Sequence, residues 1–363
     1  MSQRWVVAGG GTGGHVTPAL ALAERIRERG DDVLVMGGRL GLESKLVPQA
    51  GFELVALPAR QLMGQGFLGR LAALPALAAA CFAAWRELGR RNVEIVVSVG
   101  GYASVPAVAA AVLRRLPIAL VEPNAIPGRA NLAAARFARR VFLGFEAAAA
   151  SFGPSGREPA RVCGIPLRRA LLEVFASQAE RRTPAAPFRL LVFGGSQGAR
   201  QLNDAMIEAA PALGRHIQIF HQTGPADQER VTRAYAAAGV QAEVVAFEPD
   251  MPGRYAWADL ALCRSGALTV AELALAGLPA LLVPYPYAAD DHQRANARAL
   301  ADAGAGRLLD TPLGALAGVL QGVFESPGEL VAMGRKARAL ARPDAAERIV
   351  AECAALLADE GED

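Results

Sequence analysis

A chain of 363 residues that is 52% hydrophobic can bury large cores and is long enough for two ordinary domains. Its 38 basic and 35 acidic residues nearly balance, and no basic tract is interleaved with aromatics, so nucleic acid is not an expected partner. Cys81, Cys163, Cys263 and Cys353 stand far apart without a CxxC pair, which argues against a zinc site and a disulfide framework.

The first strand is expected at Arg4 to Ala8, with no secretory signal pattern ahead of it, which makes the cytosol the expected compartment. GGGTGGH follows at residues 9 to 15, then a helix over 17 to 29 and a second strand, VLVMGG, at 33 to 38. The nearly uncharged stretch Leu71 to Trp85 is too short, and too broken by Pro75, to span a bilayer. Strands IVVSVGG at 95 to 101 and IALVEP at 118 to 123 come next. The same alternation restarts with LLVFGGSQGA after Arg189, and continues with IQIFHQTG at 217 to 224, VVAF at 244 to 247, LALCRSG at 260 to 266 and ALLVPYP at 280 to 286. Strands alternating with helices predict an α/β chain with two parallel sheets.

Residues 151 to 187 concentrate Pro, Gly and charge and read as a linker, with the boundary near Cys163. The expected domains are therefore 1–163 and 164–343. A last amphipathic helix at 344–359, capped by Asp344, can pack on either half.

Parallel sheets bind ligands beyond the carboxyl ends of their strands, where the glycines of this chain cluster. GGGTGGH contains G-x-G-x-x-G as Gly9, Gly11 and Gly14 between a strand and a helix. The second strand, however, ends in Gly37, Gly38 and Arg39 and lacks the acid that holds a dinucleotide's ribose. One or two glycines suffice for a tight turn; five in seven residues favour close approach of backbone to a ligand. GGSQGA at 194 to 199 reads as a second loop of this kind, an ordinary turn or an anion site at a helix start. In CRSGALTVAELALAGLPALLVPYP at 263 to 286, a helix beginning near Leu268 and Thr269 offers its N–H groups to a diphosphate. Glu272, one turn in, has two readings: a carboxylate for both hydroxyls of a ribose, or the far end of a T-x-x-E capping box opened by Thr269.

GGGTGGH, SVGGYASVP, EPNAIPGRAN, GGSQGARQLN, HQTG, the SGALT to PYP block and DDHQRANA occur in an order and spacing covering nearly the whole chain. Together they resemble the bacterial cell-wall N-acetylglucosaminyltransferases that glycosylate undecaprenyl-diphosphate-linked muramyl-pentapeptide, converting lipid I to lipid II. The resemblance implies a GT-B fold, two Rossmann-like doubly wound domains facing across a cleft, the nucleotide sugar mainly on the second. It puts Thr12, Gly13, Gly14 and Asn124 near the donor sugar and acceptor. It makes Arg168, Ser196, the stretch Phe247, Glu248 to Met251, the helix start Ala267, Leu268, Thr269, Val270, Ala271 and Glu272, and Gln293 contacts of UDP-N-acetylglucosamine. Val121 and the sequence Ile165 to Arg168 depart from the family pattern, which often has His and Asn-Pro-Val-Arg there.

Inverting transfer needs a base for the acceptor C4 hydroxyl and charge stabilisation for departing UDP, which helix N-termini supply. His15 is the first candidate for the base, with hydrogen bonding to the loop or the lipid diphosphate as its rival role; Glu122 is the second candidate. No D-x-D motif occurs, so neither a metal nor a cofactor is expected. The competing activities are a UDP-N-acetylglucosamine 2-epimerase and a non-enzymatic dinucleotide-binding module.

A lipid-linked acceptor implies a peripheral protein on an anionic membrane surface, at its cytoplasmic face. Phe67, Leu71, Leu74, Leu77, Phe82 and Trp85 with Arg70, Arg86, Arg90 and Arg91 resemble an interfacial patch with a basic rim; the alternative is that the apolar residues are core.

Overall fold

A computed structural model describes residues 2–58, 67–153, 160–176, 181–195 and 197–359. The chain forms two compact units, Met1–Arg169 with Arg342–Asp363, and Ala170–Ala341.

The first unit is built on β1 (Arg4–Gly9), β2 (Asp32–Gly38), β3 (Leu54–Leu57), β4 (Ile95–Gly100), β5 (Ile118–Glu122), β6 (Arg140–Leu143) and β7 (Arg161–Val162). All pair in parallel in the order β3-β2-β1-β4-β5-β6-β7. The helices are α1 (Gly13–Glu28), α2 (Glu43–Gln49), α3 (Phe67–Arg90), α4 (Val105–Arg114) and α5 (Arg129–Ala135). Parallel strands covered on both faces read as continuous apolar runs, because successive side chains enter opposite cores. Val6, Ala8, Met36, Val96 and Leu120 point to a core shared with Ala84 and Leu88 of α3 and Ala107 and Ala111 of α4. Trp5, Val7, Val97 and Val121 enter the opposite core with Leu22 and Ile26 of α1.

The second unit repeats the plan with β8 (Phe188–Phe193), β9 (Ile217–Gln222), β10 (Gln241–Val245), β11 (Leu260–Cys263), β12 (Ala280–Leu282) and β13 (Gly306–Leu308), parallel in the order β10-β9-β8-β11-β12-β13. Its helices are α6 (Arg169–Ala176), α7 (Arg200–Leu213), α8 (Gln228–Ala237), α9 (Met251–Trp257), α10 (Ala267–Ala276), α11 (His292–Ala301), α12 (Leu316–Phe324) and α13 (Pro327–Ala339). Leu190, Val192 and Ile219 of this sheet pack with Leu202, Met206, Tyr235 and Leu320.

The chain then returns to the first unit as α14 (Ala345–Asp359). Ile349, Val350 and Cys353 enter the core of α1, and burying Ile349 alone stabilises the return by about 2 kcal/mol. The exchange between units falls at Arg169, beyond Cys163, because the N–H groups of Cys163 and Gly164 still donate to Leu143 of β6. Part of the stretch read as linker is thus strand β7.

Three local expectations change. Helix α1 begins at Gly13, with Thr12 at its N-cap, so the last residues of GGGTGGH are its first turn. Helix α10 begins at Ala267 behind Gly266, which puts Thr269 inside the helix and removes the capping-box reading of Thr269 and Glu272. Arg168, expected in the second domain, falls in the first unit, which runs to Arg169.

Candidate functional site

In both sheets the first strand lies between the second and the fourth, so the chain reverses its direction of travel between β1 and β4 and between β8 and β11. Ligands of doubly wound sheets sit beyond the carboxyl ends of the strands at such switch points. The loops there are residues 10–12 and 101–104 in the first unit, and 194–195, 197–199 and 264–266 in the second.

In the first unit Gly11 has φ 90°, and a Cβ on it would lie 2.7 Å from Cε1 of Tyr102. Gly101 likewise leaves no room for a side chain: its Cβ would stand 2.6 Å from the carbonyl oxygen of Gly10 and 3.4 Å from Nδ1 of His15. The β1 and β4 loops therefore touch backbone to backbone, and His15 rests on Gly101. Thr12 Oγ1 and His15 Nδ1 are 3.0 Å apart. Thr12 and Gly14 are exposed and Gly13 is half-buried, so this first turn of α1 presents its backbone to solvent.

Glu122, at the end of β5, is 1% exposed. Its Oε1 accepts the N–H of Asn124 at 2.9 Å and its side-chain amide at 3.2 Å. Its Oε2 accepts the N–H of Gly128 at 2.9 Å and the amide of Asn131 at 3.0 Å. Burial raises the carboxyl's pKa despite these donors. The group organises the loop that carries Asn124. Asn131 in turn packs on Gly100, where a Cβ would lie 2.9 Å from its Nδ2, so Glu122, the β4 loop and His15 form one contiguous set.

In the second unit, α10 starts directly after β11, and Ala267 to Glu272 are its first residues. Ala267 and Val270 are buried, whereas Leu268, Thr269, Ala271 and Glu272 are half-buried. Ser265 donates to the carbonyl oxygen of Gln293 at 2.8 Å, and Gln293 Oε1 accepts the N–H of Tyr285 at 2.9 Å, which ties the loop before α10 to α11. Tyr255 of α9 donates its hydroxyl to Glu272 Oε2 at 2.7 Å. Phe247 is 59% exposed, and Met251 opens α9. Glu248 is turned into its own loop, accepting the N–H of Asp250 at 2.8 Å and Nε of Arg254 at 2.7 Å, so its carboxylate is occupied by the protein. Ser196 lies outside the described residues.

Several groups behind these loops have no obvious sequence signature. His221 is fully buried between the hydroxyl of Tyr235 at 2.7 Å and Oδ1 of Asn203 at 3.1 Å, and burial lowers its pKa to about 3. Asn203 donates to the carbonyl oxygen of Thr223 at 3.0 Å, securing the HQTG loop against α7. Arg264, also buried, donates to the carbonyl oxygens of Val283 and Pro284 and to Gln201. A cavity of about 260 Å³ lined by Arg181, Arg182, Trp257 and Asp259 opens at the amino-terminal edge of the second sheet, away from the loops. Its charges already serve the fold, with Arg182 paired to Asp259 at 3.2 Å. Among the described residues, no group of three or more His, Cys, Asp or Glu side chains is placed to hold a metal ion.

A separate surface lies on α3 and α4, which pack along each other. Phe82 is 65% exposed and stacks on Trp85 with ring centroids 6.0 Å apart, and Leu74 and Leu113 are 51% and 71% exposed. Ala80, Ala84 and Leu88 form the buried side of α3, so for Phe82 and Trp85 the core reading is overturned; Leu77 is half-buried. The guanidinium of Arg114 lies 4.3 Å over the Trp85 ring. The rim differs from expectation, since Arg86, Arg90 and Arg91 all pair with Glu87 and Arg91 also with Glu53, Arg86 keeping 70% of its side chain exposed. Phe67, Arg70 and Leu71 have side chains outside the described residues. No helix among the described residues is long and apolar enough to cross a membrane.

Residues 5–143 match the glycosyltransferase family 28 N-terminal domain, and residues 189–349 match the C-terminal domain of the same family. The chain is 42% identical over 360 residues to the UDP-N-acetylglucosamine–N-acetylmuramyl-(pentapeptide) pyrophosphoryl-undecaprenol N-acetylglucosamine transferase of Myxococcus xanthus, covering 97% of this chain and 92% of that one. It is 43% identical over 355 residues to the transferase of the same name from Nitratidesulfovibrio vulgaris, covering 96% of each. Among solved structures it is similar to Acinetobacter baumannii MurG, with a TM-score of 0.77, 31% identity, and coverage of 96% of this chain and 98% of that one. Two Rossmann-like parallel-sheet domains matched by the two halves of one glycosyltransferase family make this a GT-B fold. The chain belongs to glycosyltransferase family 28, among its N-acetylmuramyl-(pentapeptide) pyrophosphoryl-undecaprenol N-acetylglucosamine transferases.

Proposed function

We propose that the chain transfers N-acetylglucosamine from UDP-N-acetylglucosamine to the C4 hydroxyl of N-acetylmuramyl-pentapeptide on undecaprenyl diphosphate, forming lipid II with inversion. The observation that carries this reading is the Thr12 and His15 pair, seated at a sheet switch point in a chain 42% identical to a transferase named for that reaction. His15 takes the proton of the C4 hydroxyl as its oxygen attacks the anomeric carbon, while the bond from that carbon to the UDP oxygen breaks. The first N–H groups of α10, beginning at Ala267 and Leu268, face the charge that develops on the leaving diphosphate. Glu272 receives the ribose, the loop 247–251 the uracil, and Gln293, Ser196 and Arg168 complete the donor contacts. Thr12, Gly13, Gly14 and Asn124 face acceptor and sugar. Glu122, enclosed by four donors, is a positioning group for Asn124, which leaves His15 as the base.

The exposed Phe82, Trp85, Leu74 and Leu113, with Arg86 and Arg114 beside them, are proposed to rest on the anionic cytoplasmic face of the membrane, where the lipid acceptor resides. A dinucleotide-binding module is not favoured, because β2 ends without a ribose acid and the next carboxylate, Glu43, is turned onto backbone N–H groups. An epimerase acting on the donor alone is not favoured by relatives named as transferases.

The decisive assay incubates the protein with UDP-N-acetylglucosamine and a short-chain lipid I analogue and looks for the disaccharide by mass spectrometry. Release of free N-acetylmannosamine or no product at all would replace this reading.

A further inference from the structure

Glu43 opens α2 and is fully buried. Its Oε2 accepts the N–H of Gly11 at 2.9 Å, and its Oε1 accepts the N–H of Gly38 at 2.8 Å. One carboxylate therefore joins the loop after β1 to the end of β2. Around it the chain is stripped of side chains: a Cβ on Gly10, Gly37 or Gly41 would strike Glu43 itself. Tyr102, from the loop after β4, closes the remaining side, with a Cβ on Gly38 standing 3.8 Å from its hydroxyl oxygen. Burial and the neighbouring Glu43 charge raise the pKa of Tyr102. Burying a carboxylate is costly unless its oxygens are hydrogen-bonded, and a neutral side chain of equal size would fill this space more cheaply.

We infer that Glu43 is a positioning residue for the transfer reaction, holding Gly11, and through it Thr12 and His15, in the geometry the acceptor requires. This rests on the reading of residues 9–15 as the acceptor loop. Gly11 immediately precedes the N-cap of α1, so its anchored N–H fixes where the helix starts and where the His15 ring stands. The charged oxygens matter because both partners are N–H donors; a carboxamide would turn its own N–H₂ toward one of them.

The test is steady-state kinetics of Glu43→Gln with UDP-N-acetylglucosamine and a short-chain lipid I analogue, alongside thermal unfolding. A reacting group displaced by about 1 Å loses on the order of 10²-fold, so kcat/KM for the acceptor is expected to fall by roughly that factor. The donor KM, set by the second unit, is expected to stay at its wild-type value. Glu43→Asp keeps the charge on a shorter stem and should recover part of the loss. A Glu43→Gln protein that melts earlier yet turns over at the wild-type rate would overturn the inference while leaving the proposed reaction standing. Failure of both variants to fold would reduce Glu43 to a folding role and overturn it equally. Wild-type protein that makes no disaccharide would overturn the reaction and this inference together.

Discussion

Thr12 Oγ1 lies 3.0 Å from His15 Nδ1 across the first turn of α1. For His15 to act as base through Nε2, its Nδ1 must carry the proton, and in that tautomer the Thr12 hydroxyl oxygen is its acceptor. Thr12→Ser keeps the acceptor oxygen and should retain most activity. Thr12→Val removes it without changing the shape and should lower kcat at least about 10-fold with donor affinity unchanged, and His15→Ala should cost about 10²- to 10⁴-fold in kcat. Steady-state kinetics and UDP titration calorimetry read the two effects separately. Wild-type turnover in Thr12→Val would remove the tautomer argument.

Tyr255 and Glu272 couple the loop proposed for the uracil to the helix proposed for the ribose. Burial, with the Glu272 charge beside it, holds the Tyr255 hydroxyl well above its ordinary pKa, so it stays protonated and donates. Tyr255→Phe leaves the carboxylate without this donor, and a hydrogen bond to a charged group contributes about 1.5–3 kcal/mol. UDP affinity is expected to fall about 3- to 12-fold in Tyr255→Phe, if half of that energy holds the carboxylate toward the ribose. Glu272→Gln should weaken UDP as well, since a carboxamide is the poorer acceptor for two hydroxyls. Calorimetry showing unchanged UDP affinity in Glu272→Gln would end the ribose assignment.

Phe82 and Trp85 form an exposed stack beside Arg114, on the side of α3 that faces away from the sheet. Phe82→Asp and Trp85→Asp should each reduce flotation with vesicles containing anionic lipid while leaving the circular dichroism spectrum intact, since neither ring fills a core. Added salt should weaken wild-type binding through the Arg86 and Arg114 contribution and leave the apolar contribution in place. Full flotation of folded Phe82→Asp would move the membrane contact elsewhere.

The strands were legible because both faces of each sheet are covered, so VVAG and IVVSVGG stand out as unbroken apolar runs. The start of α1 was hidden because Gly13 and Gly14 have low helix propensity and read as loop; packing of Val16, Leu20 and Leu22 overrides that preference. The T-x-x-E pattern at Thr269 and Glu272 left a capping box open as one of two readings because it is local, while a donor to Glu272, Tyr255, lies on another helix. Glu43 was invisible for a related reason. Its partner Gly11 lies 32 residues earlier in the chain and offers only backbone, which carries no residue-type signal. Candidate residues on strand-end loops could be read from motifs, whereas the buried groups that hold those loops could not.

His221 gives the second unit a dependence on pH that is opposite in origin to that of a salt bridge. Buried between Tyr235 and Asn203, it stays neutral in the folded protein down to a pKa of about 3, against an ordinary value of 6.5. Below pH 6.5 the unfolded chain takes up a proton that the folded chain refuses. The stability is therefore fully present above 6.5 and is lost as pH falls toward 3. Between pH 7 and pH 5 the loss amounts to about 2 kcal/mol. Urea unfolding followed at both pH values should show this loss in wild-type protein and a flatter profile in His221→Gln, which cannot titrate. Equal pH dependence in the two proteins would place the acid sensitivity in other groups, and would mean that water reaches the imidazole beneath the HQTG loop.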